Sequence, residues 1–261
     1  MPNVNPNAPT SETVLSVRHY TDDLFAFSLS RPSGFRFRSG EFIMLGLQGE
    51  KKPLLRAYSV ASPAWDDKLD FYSIKVSDGP LTSRLQNIAI GDEVLLGRKP
   101  VGTLVLDALL PGKRLFMLST GTGVAPFASL IRDLDVYANF DQVILIHTCR
   151  QAAELAYGFD LVDTAKNDPL VGEEAAAKLN HITSVTRGNY PLQDRITTLI
   201  ETGALFEHVG GGSFDPASDR VMICGSKAMT QDLKALVEAQ GFKEGSNSSP
   251  ADFVIEKSFV G

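Results

Sequence analysis

The sequence predicts two domains in series, an antiparallel β-barrel over residues 1–110 and an α/β domain built on a parallel sheet over residues 111–261. Three features carry that reading. Up to Leu106 the chain is a series of short alternating apolar runs split by turn residues. From Arg114 onward, continuous apolar runs alternate with segments of helical spacing. Between the two regimes stands Leu110-Pro111-Gly112-Lys113, a turn signal.

In the first regime, strands are expected at residues 12–20, 24–29, 42–47, 57–61, 69–76 and 94–97. Pro32-Ser33-Gly34 and Ser77-Asp78-Gly79-Pro80 separate some of them, and short strands at this spacing favour a small barrel. Residues 82–88 read as one short helix capping it. In the second regime the apolar runs 115–119, 142–147, 181–186 and 221–225 are strands. Helical spacing appears at 127–134 and most regularly at 229–240. Strands alternating with helices imply a parallel sheet with helices on both faces. Gly210-Gly211-Gly212-Ser213 reads as a loop, and no internal repeat is visible.

The chain has 261 residues, 43% hydrophobic and 21% charged, which fits two soluble domains with sizeable cores. A net charge of −6 argues against a nucleic-acid partner, while leaving room for a local basic patch facing an acidic protein. Two cysteines, Cys149 and Cys224, are too few for a four-cysteine iron–sulfur site and read as reduced thiols. No metal site is expected. Residues 1–9 are polar and proline-rich, without the pattern of a signal peptide. No apolar run approaches the about 20 residues that cross a bilayer. The expectation is a cytoplasmic monomer that does not enter membranes.

Two motifs carry chemistry. A flavin asks three things of a protein: cations or N–H groups for its pyrophosphate, an aromatic or apolar face for its ring, and a hydrogen-bond partner at its N5 edge. Arg56-Ala57-Tyr58-Ser59 offers a cation, a ring and a hydroxyl, with Arg56 and Tyr58 on one face of a strand and Ser59 on the other. The four residues alone equally fit a surface cation beside a barrel aromatic. Gly79-Pro80-Leu81-Thr82-Ser83 closes a turn and opens a helix, which suits either an anion or an ordinary helix cap.

The second motif, Gly121-Thr122-Gly123-Val124-Ala125-Pro126, is a glycine turn between strand and helix. Its glycines let a nucleotide approach the backbone. Proline replaces the third glycine of the dinucleotide fingerprint and is tolerated in a first helical turn. A purely structural turn has the same form. The next strand runs into Thr148-Cys149-Arg150, with no carboxylate where an NAD site places one. Arg187 and Arg195 follow the strand after that. Guanidinium forks suit a phosphate dianion, although singly each arginine also reads as a solvated charge. The reading is NADPH in preference to NADH.

Arg56-Ala57-Tyr58-Ser59, Phe71-Tyr72-Ser73-Ile74-Lys75-Val76 and Asp78-Gly79-Pro80-Leu81-Thr82-Ser83-Arg84-Leu85 together resemble the bacterial ferredoxin–NADP reductases, and the likeness runs from Glu12 to the last residue. It implies FAD held by Arg56, Ala57, Tyr58, Ser59, Tyr72, Ile74, Lys75 and Val76, largely through backbone, with Pro80, Leu81 and Thr82 on the pyrophosphate. It implies Tyr58 stacked on the isoalloxazine, Ser59 near N5, and Thr122 touching both flavin and nicotinamide. It gives NADP to Cys149, Arg150, Thr186, Arg187, Arg195, Gly225, Ser226, Lys227 and Met229, with Arg187 and Arg195 on the 2′-phosphate side. Cys224 is expected to position the nicotinamide without covalent chemistry, and Glu256 or Ser59 to relay a proton to N5. At the tail, Ser258 stands where plant-type relatives carry an aromatic over the flavin, a departure from their pattern. Phe259 is expected to stack on the adenine of FAD.

The resemblance implies hydride transfer between NADPH and FAD, then single-electron exchange with ferredoxin or flavodoxin. Two other readings remain at this point. One is a flavin reductase component serving an oxygenase. The other is a non-catalytic partner-binding module that retains the fold.

Overall fold

In the computed structural model, which describes residues 8–76 and 78–257, the chain begins with an antiparallel sheet. Its strands are β1 (Thr10–His19), β2 (Leu24–Ser30), β3 (Phe42–Gln48), β4 (Pro53–Ser59), β5 (Lys68–Ile74) and β6 (Glu93–Leu96), with the single-turn helix α1 (Thr82–Leu85) before β6. The order across the sheet is β4-β3-β6-β1-β2-β5. A register shift in β1 between Val14 and Ser16 lets its first half pair with β6 and its second half with β2. Such a bulge bends a strand, and here it turns the sheet toward a barrel. Alternate residues Phe25, Phe27, Leu29, Ile43, Leu45, Leu69, Phe71, Val94 and Leu96 point inward and form one core. Burying each such side chain contributes about 1.5–3 kcal/mol.

β4 and β5 are the two ends of this order, and they meet along a seam. The Ala61 N–H donates to the Asp70 carbonyl at 2.8 Å, closing one end. Further along, a side-chain bond spans the gap among the described residues: Tyr58 Oη and Ser73 Oγ lie 3.2 Å apart.

The second half is a parallel sheet of β7 (Arg114–Thr120), β8 (Gln142–Cys149), β9 (Leu179–Val185), β10 (Asp219–Gly225) and β11 (Phe253–Lys257), in the order β11-β10-β7-β8-β9. Helices α2 (Ala125–Leu130) and α3 (Leu134–Asn139) join β7 to β8, and α4 (Ala156–Lys166) and α5 (Gly172–Lys178) join β8 to β9. The β9–β10 link holds α6 (Ile196–Glu201) and α7 (Ala204–Glu207), and α8 (Lys227–Ala239) follows β10. The apolar runs are continuous because both faces are covered. Leu115, Met117, Leu145 and Met222 pack with Phe127, Tyr137 and Leu161 on one face. Phe116, Leu118, Ile144 and Ile223 pack with Ile196, Leu205 and Leu233 on the other.

Several elements differ from the sequence expectation. The strand expected at 57–61 is Pro53–Ser59, and the helix expected at 82–88 is the one turn Thr82–Leu85. The helix expected at 127–134 starts at Ala125, with Pro126 in its first turn, and stops at Leu130. There the Asp133 carboxylate accepts from the Asp135 N–H and caps a new helix, α3. The tail read from Glu256 onward begins inside β11, which pairs in parallel with β10.

The two halves share a core. Leu24, Ala61, Tyr72, Leu104 and Val105 pack into the same cluster as the α2–α5 face of the sheet. Arg132, after α2, reaches Asp66 at 3.5 Å and Asp168 at 3.0 Å, while Trp65 Nε1 donates to the Arg132 carbonyl at 3.0 Å. These contacts fasten the barrel to the helical face of the sheet domain. No helix among the described residues is long and apolar enough to cross a membrane.

Candidate functional site

The four residues Arg56, Ala57, Tyr58 and Ser59 end β4, and Tyr72 and Ile74 end β5. Among the described residues each of these strands has a sheet partner on one side only, β3 and β2 respectively. Such edges leave backbone N–H and C=O groups for a ligand. Tyr58 is held from two directions, its hydroxyl against Ser73 and its ring edge-on to Phe71 at 6.4 Å. Burial pushes its hydroxyl pKa up. Arg56 bonds only its neighbour's carbonyl, Leu55, at 2.9 Å, and has no ion pair among the described residues. A half-buried guanidinium without a carboxylate, beside an anchored ring and an open strand edge, fits the pyrophosphate and ring of a flavin.

The rest of that set is placed less uniformly. The Tyr72 side chain is buried against Tyr157 of α4 rather than turned to the seam. The Lys75 N–H donates to the Asp23 carbonyl at 2.6 Å. The Val76 N–H and C=O are both engaged by the Thr82 hydroxyl, at 3.3 and 3.1 Å. Leu81 is buried in the barrel core, whereas Pro80 is exposed. The Thr82 hydroxyl thus shapes the turn that leads from β5 into α1.

A cavity of about 450 Å³ opens along the carboxyl ends of the parallel strands. It lies at the place where β7 and β10 are neighbours but their outgoing connections diverge, the usual ligand crevice of such sheets. Thr122, Cys149, Arg150, Thr186, Arg187, Arg195, Ser226 and Met229 all line it, so the structure gathers most of the expected nucleotide set in one place. Ile74 of β5 lines it as well, bringing a barrel edge strand to its wall. Gly121 takes a positive φ of 52°, which favours glycine. A Cβ on Gly123 would fall on the carbonyl oxygen of Cys224, so that position tolerates only glycine. Arg150, Arg187 and Arg195 are exposed and form no ion pair among the described residues. Arginines on the β8–β9 side of such a cavity fit a nucleotide's phosphates.

Gly225 and Lys227 do not line the cavity; Gly225 packs beneath Thr120 and Met229. Cys224 is buried behind the wall, and burial, with Glu256 adding to it, pushes its thiol pKa up. Glu256 pairs in register with Cys224. Glu256, Glu41 and Phe42 lie around Gly102, and Phe42 of β3 pairs with Ser59 of β4. Burial raises the Glu256 carboxyl to about 7, and the N–H groups of Thr103 and Leu104 offset part of that rise. Ser258 and Phe259 lie outside the described residues.

Sequence reading missed part of the wall: Asp23, Thr120, Thr148, Glu154, Thr197 and Asp232. Glu154 qualifies the absence of a carboxylate after β8, although one of its oxygens accepts from the Arg150 N–H at 3.0 Å. Its spacing after the strand, at the start of a helical segment, was the available signal. Asp23 arrives from a barrel turn and left none.

Residues 13–105 match the family model of the oxidoreductase FAD-binding domain, and residues 117–235 that of the oxidoreductase NAD-binding domain. The chain is 54% identical over 254 residues to a flavodoxin/ferredoxin–NADP reductase of Rhodobacter capsulatus, covering 97% of this chain and 94% of the relative. It is 46% identical to a ferredoxin–NADP reductase of Pseudomonas aeruginosa, covering 96% and 97%. A solved ferredoxin NADP+ reductase from Neisseria gonorrhoeae, with bound FAD and NADP, superimposes with a TM-score of 0.87 at 30% identity, covering 97% of this chain and 99% of that one. With relatives this similar over nearly its whole length, the chain belongs to the ferredoxin/flavodoxin–NADP reductase family.

Proposed function

We propose that this protein is a ferredoxin/flavodoxin–NADP reductase that uses FAD and exchanges electrons between NADP(H) and ferredoxin or flavodoxin. One observation carries the reading: Ile74, from the strand at the flavin seam, and Thr122, from the glycine turn, line the same cavity. Two nucleotides bound at the two motifs would therefore bring their reactive ends together.

FAD, when bound, supplies the chemistry, taking a hydride from one carrier and passing single electrons to another. The protein orients and screens. Arg56 balances the pyrophosphate, Tyr58 and Ser59 flank the ring, and the unpaired edge of β4 supplies backbone bonds. Pro80, Leu81 and Thr82 form the turn beside it. Arg150, Arg187 and Arg195 hold the phosphate end of NADP(H), with Thr186, Ser226, Lys227 and Met229 along its length. Cys224 backs the nicotinamide end. Glu256, with its raised pKa, holds a proton near neutrality on the strand position paired with Cys224. Ser258 and Phe259 are assigned to the flavin's outer face and adenine. The domain division at 110/111, cytoplasmic location and monomeric state belong to the same reading.

The test is direct. Purified protein is expected to be yellow, to bleach on adding NADPH, and to recover colour when oxidised ferredoxin or flavodoxin is added. Comparable kcat/KM with NADH and NADPH would remove the NADP assignment. A protein that stays colourless with excess FAD would remove the whole reading.

A further inference from the structure

His147 is fully buried in β8, two residues before Cys149 and on the same face of the strand. It is not among the residues lining the cavity. Its Nε2 lies 3.1 Å from the Gly121 carbonyl oxygen and 3.2 Å from Cys149 Sγ. A carbonyl only accepts, so Nε2 carries the proton and Nδ1 is bare. Burial keeps the ring neutral by lowering its pKa to about 3. The Cys149 thiol, beside Nε2, donates to the Glu154 carbonyl oxygen at 3.7 Å. Gly121 is thus held at its C=O by a buried side chain of β8.

The ring has room only because residue 158 on α4 is glycine; a Cβ there would fall on Nδ1. What the grip holds is the start of the glycine turn, with its left-handed φ of 52° at Gly121. Thr122 follows immediately and lines the cavity beside Ile74. The arginines stand toward β8 and β9, so phosphates occupy that side and the redox ring the Thr122 side.

We propose that His147 is a positioning residue: by donating from Nε2 to the Gly121 carbonyl, it fixes the turn that sets the nicotinamide end of NADP(H) against the flavin strand. This rests on the reductase reading above. The residue touches neither nucleotide and acts through the Gly121 backbone.

The experiment uses the FAD-loaded protein and three variants, His147→Leu, His147→Gln and Gly158→Ala. Leucine removes the donor, glutamine offers an amide N–H to the same carbonyl, and the alanine methyl displaces the ring from outside the cavity. Three readouts are taken: amide hydrogen exchange over residues 121–123, affinity for adenosine 2′,5′-bisphosphate, and the rate of flavin bleaching by NADPH. In His147→Leu, exchange at the turn is expected to accelerate and bleaching to slow about ten- to hundredfold, as for a reacting group displaced by around 1 Å. Bisphosphate affinity stays unchanged, because that probe occupies only the arginine side. Gly158→Ala follows the leucine variant, and His147→Gln regains most of the rate.

Native exchange and bleaching in His147→Leu, or a parallel loss of bisphosphate affinity in all variants, overturns the proposal. Should His147→Leu fail to fold, the glutamine and alanine variants decide it by the same readouts. Native protein that binds FAD but is not bleached by NADPH overturns the reductase reading instead, and the exchange measurement still decides whether the grip on Gly121 exists.

Discussion

The Tyr72 ring of β5 lies flat against the Tyr157 ring of α4, with centroids 3.8 Å apart and planes 7° from parallel. Tyr20 stands edge-on to both, at 6.1 and 5.4 Å. Two of these rings belong to the barrel and one to the sheet domain, so the stack is a joint between the two halves. Tyr157→Ala removes the sheet domain's ring from a buried site. It is expected to cost about 3 kcal/mol, the range for an aromatic truncated to alanine. Tyr157→Phe keeps the stack and most of the stability. Denaturant unfolding checks both, and the alanine variant is expected to lose cooperativity between the two halves.

Gly123→Ala tests the close approach of the glycine turn to β10. The added methyl would meet the Cys224 carbonyl and the Gly225 Cα, which are backbone atoms that cannot swing aside. Overpacking of this kind costs about 1–3 kcal/mol. A thermal melt reads the stability, and a raised KM for NADPH reads the displaced turn. Unchanged values in both would contradict the packing described.

The parts of the site legible in the sequence are those where local chemistry demands a residue type. Gly121 and Gly123 announce themselves because a side chain fits neither the positive φ of the first nor the contact of the second. Arg150 and Arg187 are legible because each stands within two residues of the end of a parallel strand, and the carboxyl ends of such strands form the crevice. What stayed hidden depends on residues distant in the chain. Tyr72 and Tyr157 are 85 positions apart and carry no shared pattern. The flavin motif points to the Tyr72 backbone and is silent on the ring, which packs in the domain joint. The grip of His147 on Gly121 needs the β7–β8 register, which no local periodicity encodes. The second strand of the flavin motif was legible, but the use of its Val76 backbone by Thr82 was not.

Arg187 and Arg195 give a prediction about cofactor choice. Both are exposed and without ion pairs among the described residues, so their charge is available to a phosphate but screened by solvent. Replacing either with alanine is expected to raise KM for NADPH about tenfold, the worth of one charge-assisted contact. KM for NADH, which lacks the 2′-phosphate, should not move. Added salt should raise the native enzyme's KM for NADPH and have less effect in the variants. Steady-state kinetics with both nucleotides at two ionic strengths checks this.

Glu256 makes stability depend on pH in a stated direction. Its ordinary pKa is 4.5, and burial raises it to about 7 in the folded protein. Between those values the unfolded chain has released the proton while the folded one retains it, so the folded state binds more protons. Stability from this group is full below pH 4.5, falls as pH rises through the window, and is lost above about 7. The swing is on the order of 3 kcal/mol. Glu256→Gln has nothing to titrate, so its stability should be flatter from pH 4.5 to 7, and above 7 it should exceed that of the native protein. Denaturant unfolding of the FAD-loaded forms across that range measures the difference. Parallel curves for the two proteins would mean that the carboxylate is ionised in the folded state and does not hold the proton assigned to it.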